Sequence, residues 1–92
     1  MYPLLSEFSS AVTQLIAAGE RKVVVNLSAV GYVDSATLGG LMDLYRQASA
    51  AGGSLKLAGV QKRVETMLTM TGAQNFIEVH PDEPSAVKSF GA

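Results

Sequence analysis

Apolar residues along this chain recur with two alternating rhythms. After Pro3, a residue suited to the first turn of a helix, Leu4, Leu5, Phe8, Val12, Leu15 and Ile16 fall mostly three or four positions apart. The spacing predicts an amphipathic helix that closes at Gly19. The rhythm then changes. Lys22-Val23-Val24-Val25-Asn26-Leu27 places three β-branched residues in a row, which favours an extended strand, and the lack of alternation suits one covered on both faces. A loop from Ser28 to Asp34 leads to a second helix whose inner face is Leu38, Leu41, Met42, Tyr45 and Ala48, ended by Gly52-Gly53. Ser54 to Ala58 reads as a short strand, and Gly59 turns the chain. Val64, Met67, Leu68 and Thr71 mark a third helix stopped by Gly72. Phe76-Ile77-Glu78-Val79 reads as the third strand. Asp82 then caps a last helix with Pro84 in its first turn and Ala86, Val87 and Phe90 on its apolar side. The order αβαβαβα implies an α/β fold, a small mainly parallel sheet flanked by helices.

Length and composition narrow the classes of function. Ninety-two residues leave room for one domain, residues 1–92, and a single core of that size needs no metal or disulfide. Hydrophobic residues are 48% and charged residues 16% of the chain, against about 25% charged in an average domain, so disorder is excluded and apolar side chains are left over for a protein contact or a homodimer. The net charge is −1, and the scattered basic residues form no patch for nucleic acid. No apolar run approaches the ~20 residues that cross a bilayer, and no basic head and apolar run of a signal peptide opens the chain. Direct membrane insertion is therefore not expected, and a cytoplasmic location is. With no cysteine and only His80, thiol chemistry and a thiolate zinc site are excluded and a His-based metal site is disfavoured. No cofactor is expected.

The informative segment is Val33-Asp34-Ser35-Ala36-Thr37-Leu38-Gly39-Gly40, where a strand and its loop hand over to a helix. A helix start carries unpaired N–H groups and partial positive charge, an environment that accommodates a phosphate on Ser35. By spacing alone, a plain helix cap at Asp34 or Ser35 is the better account of these residue types, because caps are common and phosphosites rare. Other candidates carry less. Ser35, His80 and an aspartate supply the residue types of a hydrolytic triad, but the Gly-x-Ser-x-Gly elbow is absent. Gly39-Gly40 lacks the context of a phosphate-binding loop. Met42 and Met67 fit core positions, whereas Met70 lies off the apolar face, and Lys62-Arg63 reads as a solvated helix face.

The strand Val23 to Leu27, the loop through Val30 and Tyr32-Val33, the run Asp34-Ser35-Ala36-Thr37-Leu38-Gly39, and the later Lys62-Arg63-Val64 and Met70-Thr71-Gly72 together resemble the STAS domain of bacterial anti-sigma factor antagonists. The resemblance implies a non-enzymatic regulator of transcription that binds an anti-sigma factor serine kinase, frees a sigma factor, and is switched off when the kinase phosphorylates Ser35. Asp34, Ser35, Ala36, Thr37, Gly39, Gly40 and Asp43 would then meet the partner. Family members commonly have Ser or Thr and then Gly after that serine, where this chain has Ala36 and Thr37. They also begin with two strands, where this sequence begins at a helix. Either the start of the sequence is shortened or another chain covers the sheet edge where those strands would lie, and a homodimer or larger species is expected. Two rivals use the same surface: a subunit binding the ATPase of a membrane transport complex, and a scaffold subunit of a stress-sensing complex.

Overall fold

Lys22–Asn26 (β1) alternates inward and outward, with Val23 and Val25 buried and Val24 half-covered, as expected of a strand with helices on both sides. In the computed structural model, which describes residues 3–91 and side chains from Leu5 onward, β1 pairs in parallel with Ser54–Ala58 (β2), Val23 opposite Leu55 and Val25 opposite Leu57. A two-residue strand, Val79–His80 (β3), pairs in parallel with the end of β2, giving the order β1-β2-β3. The parallel sheet predicted from the sequence is therefore present. No strand pairs with the outer edge of β1 among the described residues.

Among the described residues four α-helices surround the sheet: Pro3–Ala17 (α1), Ser35–Ala50 (α2), Lys62–Thr71 (α3) and Glu83–Lys88 (α4). Val12 of α1, Leu38, Leu41 and Leu44 of α2, and Val64 and Leu68 of α3 join Val23, Val25, Leu55 and Leu57 in one apolar cluster. Side chains alternate along a strand, so Lys56, between Leu55 and Leu57, faces the opposite side of the sheet. There α4 covers it, with Ala86 fully buried. The side chain of Leu4, expected on the apolar face of the first helix, lies outside the described residues. Leu15 and Val87, also expected on apolar faces, are exposed.

The third strand departs from its predicted position. Gly72 takes φ +77°, a left-handed conformation open to glycine, and ends α3; a single 3-10 turn, Ala73–Asn75, follows. Ile77 N–H donates to Ala73 O, so pairing begins only where Glu78 O accepts from Leu57 N–H. Phe76 is thereby left exposed instead of entering the sheet.

Lys56 is a buried cation, its side chain 7% exposed. Its Nζ donates to Ser89 Oγ at 2.7 Å, lies 3.4 Å from Glu78 Oε1 and sits 4.3 Å from the centre of the Phe90 ring. A desolvated ammonium is tolerated only when so paired. These contacts tie the chain beyond α4 to the centre of the sheet.

Glu78 is held below the ordinary carboxylate range, first by its hydrogen bond with His80; desolvation opposes this, and hydrogen bonding and charge from Lys56 with the charge of His80 add to the lowering. A lowered carboxylate pKa stabilises the fold above the unfolded value, about 4.5, and that contribution disappears as pH falls through the lower folded value. Glu78→Gln is expected to be less stable than the parent at pH 6, with the difference shrinking below about pH 4.5. Urea denaturation of both proteins across that range checks this.

Candidate functional site

Between β1 and α2 the chain must turn from sheet to helix without leaving buried polar groups unpaired. Val30 N–H donates to Leu27 O at 2.9 Å, Ser28 N–H donates to Asn26 Oδ1 at 2.9 Å, and Gln61 Nε2 donates to Ser28 O at 2.8 Å from the residue that precedes α3. Val30 and Val33 anchor the loop in the core, while Tyr32 between them is 53% exposed. Asp34 then takes an extended conformation; its Oδ1 accepts from Thr37 N–H at 2.7 Å and its carbonyl from Leu38 N–H at 2.9 Å. The capping role open to Asp34 or Ser35 in the sequence thus falls to Asp34. Ser35 becomes the first helical residue, and its side chain is exposed.

From that start, the helical period puts Ser35, Gly39, Met42 and Arg46 on one stripe of α2, at spacings of four, three and four. The stripe forms one wall of a groove of about 320 Å³, with Thr71 at the end of α3, Ala73 and exposed Phe76 contributing to the rest. Arg46 also pairs with Asp43, one helical turn away. The sequence reading missed Arg46, Thr71, Ala73 and Phe76. The glycine at 72, read only as a helix stop, was the available signal that a turn precedes the third strand and keeps Phe76 out of it.

Of the residues expected to meet a partner, Ser35, Ala36, Gly39 and Asp43 are exposed and Asp34 is half-buried. Thr37 is different: it is 4% exposed and points into the protein, because it occupies the inward position one turn before Leu41. Gly40 is half-covered by α1, where a Cβ would lie 2.6 Å from Leu5 Cδ1 and Cδ2. Both residues support the surface without offering a side chain to it.

The remaining candidates fall elsewhere. His80 Nε2 lies 3.1 Å from Glu78 Oε1, and no hydrogen bond joins it to Ser35 among the described residues. No group of three or more His, Cys, Asp or Glu residues able to hold a metal ion occurs among the described residues. Nor does any described helix have the length and apolarity to cross a membrane. Met42 and Met67 pack half-buried against the core, and Met70 is 79% exposed.

Asp34→Ala is expected to lower unfolding stability by about 1 kcal/mol and to increase amide exchange in the first turn of α2. Gly39 has open space around it, so Gly39→Ala should gain about 0.5–1 kcal/mol from helix propensity, whereas Gly40→Ala should lose that gain against Leu5. Denaturant unfolding of the three variants measures both effects.

Comparison with known proteins places these features in a family. The STAS domain profile matches residues 5–86. The TM1081 homolog of Thermotoga neapolitana, named as a candidate anti-sigma factor antagonist, is 27% identical over 67 residues, covering 73% of this chain and 59% of the relative's length. The chain thus spans about three-fifths of that curated relative. The crystal structure of a candidate anti-sigma factor antagonist, TM1081 of Thermotoga maritima, superposes with a TM-score of 0.83 at 23% identity, covering 92% of this chain and 74% of that one. The NMR structure of TM1081 gives a TM-score of 0.77 at 24% identity, covering 83% and 61%. These likenesses establish the shared fold, and with a family profile spanning nearly its whole length, from the end of α1's first turn to α4, the chain belongs to the STAS domain family.

Proposed function

We propose that this protein is an anti-sigma factor antagonist: residues 1–92 act as one STAS unit that binds an anti-sigma factor serine kinase and thereby frees a sigma factor. The observation that carries the reading is the placement of Ser35, an exposed hydroxyl on the first residue of α2 and on the wall of an apolar groove. Exposed Phe76 and half-buried Met42 give a partner apolar surface beside that hydroxyl, and Ala36, Gly39 and Asp43 extend the exposed side of the helix. The relatives' names support the same assignment.

The chemistry required of the domain is small. It is a substrate and a ligand, not a catalyst. The kinase transfers the γ-phosphoryl group of ATP to Ser35 Oγ, which gives up its proton, and ADP departs. The product carries about −1.5 to −2 charges at pH 7. Docking would place that charge in a water-excluded apolar contact, next to the Asp34 carboxylate, where repulsion and desolvation oppose association. The partial positive charge at the N-terminal end of α2 favours the phosphate in the free protein, and no refolding is required. The switch then works by stabilising the free state against the bound one.

Incubation with the cognate kinase and ATP, followed by mass mapping, is expected to place one phosphate on Ser35. Ser35→Ala should bind the kinase and resist modification. Ser35→Asp should weaken binding by about 5- to 150-fold, the range of a 1–3 kcal/mol coupling. Equal affinity of the two variants in calorimetry would contradict the switch. Co-purification with a transporter ATPase without phosphate incorporation would assign the domain to a transport assembly instead.

A further inference from the structure

A second groove, of about 260 Å³, shares no lining residue with the first. Tyr32 from the loop before α2 forms part of it, and Lys62, Arg63, Thr66, Met67 and Met70 of α3 form the rest. Val64 and Leu68 turn the other side of α3 into the core, so the groove lies along the outer side of the helix, with Met67, packed half-buried against the core, at its inner edge. Two of its members are large apolar side chains left in solvent, Tyr32 at 53% and Met70 at 79% exposure. The Arg63 guanidinium lies 4.9 Å from the centre of the Tyr32 ring, a cation–π contact that holds both groups in place at the groove. Lys62 is only loosely paired with Glu65, at 3.8 Å, and with 88% of its side chain exposed it is available to another anion.

The chemistry of this lining selects one kind of occupant. It is shallow and smaller than the ~300–1,000 Å³ typical of small-molecule sites, so a cofactor would leave most of its surface in water. It contains two cations and no carboxylate, against a whole-chain net charge of −1. Two cations are too few to track a nucleic-acid backbone, whose phosphates demand several contacts. Methionines supply an adaptable, polarisable floor that accepts differently shaped aliphatic groups. We propose that this groove binds an acidic segment of a partner protein, with an apolar side chain of that segment packed against Tyr32, Met67 and Met70 and its flanking carboxylates on Lys62 and Arg63. The surface is distinct from the Ser35 groove, and its occupancy requires neither a kinase nor a phosphate.

The test is an NMR titration of the isotopically labelled full chain with a synthetic peptide of alternating leucine and glutamate, and with its leucine–lysine counterpart. The glutamate peptide is expected to shift resonances of Tyr32, Arg63, Met67 and Met70 selectively, and to weaken about fivefold or more in Arg63→Ala or when salt is raised to about 0.5 M. Lys62→Glu combined with Arg63→Glu should reverse the preference and bind the lysine peptide. Both side chains altered, Lys62 and Arg63, are exposed, and an unchanged spectrum outside the groove confirms that the variants fold. Equal binding of both peptides by the parent protein, shifts located elsewhere, no shifts, or binding to phosphatidylserine vesicles in place of the peptide would each overturn the proposal. None of those results bears on phosphorylation of Ser35, so the two readings fail separately.

Discussion

A single carboxylate decides where this protein's surface faces. By accepting the Thr37 N–H, Asp34 sets the residue at which the loop becomes α2, and the helical period then fixes the direction of every later side chain. Thr37, Leu38, Leu41, Leu44 and Ala48 go inward to the sheet, and Ser35, Gly39, Met42 and Arg46 are left along one outer wall. Starting the helix one residue later would rotate that wall by about a quarter turn and carry Ser35 into the loop. Beyond the ~1 kcal/mol it contributes to stability, the cap therefore sets which side chains line the groove.

The cap acts on a sheet that is paired along its length and covered on both faces. β1 and β2 pair over five residues with helices on both faces, and the last backbone contact between them, Leu27 N–H to Ala58 O, lies immediately before the loop that leads to Ser35. On the other face, Lys56 joins β2 to β3 through Glu78 and to the C-terminal segment through Ser89 and Phe90. Adding a phosphate at the rim of such a frame alters charge far more than shape, which suits a gate that works by repulsion.

Much of this was legible in the residues. The run of valines, the helical spacings, the glycine stops and the aspartate caps led to the observed order of elements, because in each case local preference and tertiary packing agree. The Asp34-Ser35 junction was legible for the same reason. What was not legible depends on contacts between distant segments. Lys56 looked like an ordinary strand residue, and only the return of Ser89 and Phe90 across the sheet makes its burial tenable. Phe76 looked like the start of a strand, until the left-handed Gly72 and the 3-10 turn delayed pairing and gave it to the groove. Thr37 and Gly40 sit within the motif, yet the phase of α2 and the side chain of Leu5 take them away from the surface.

The central claim is that the groove beginning at Ser35 is the face a regulatory partner covers. Amide hydrogen exchange of the unmodified protein, with and without a saturating amount of its anti-sigma factor, examines that claim without any substitution. Added protection should concentrate in residues 35–46 and 71–76, the two walls of the groove. Protection confined to α1 or α4, with those walls exchanging as in the free protein, would contradict it.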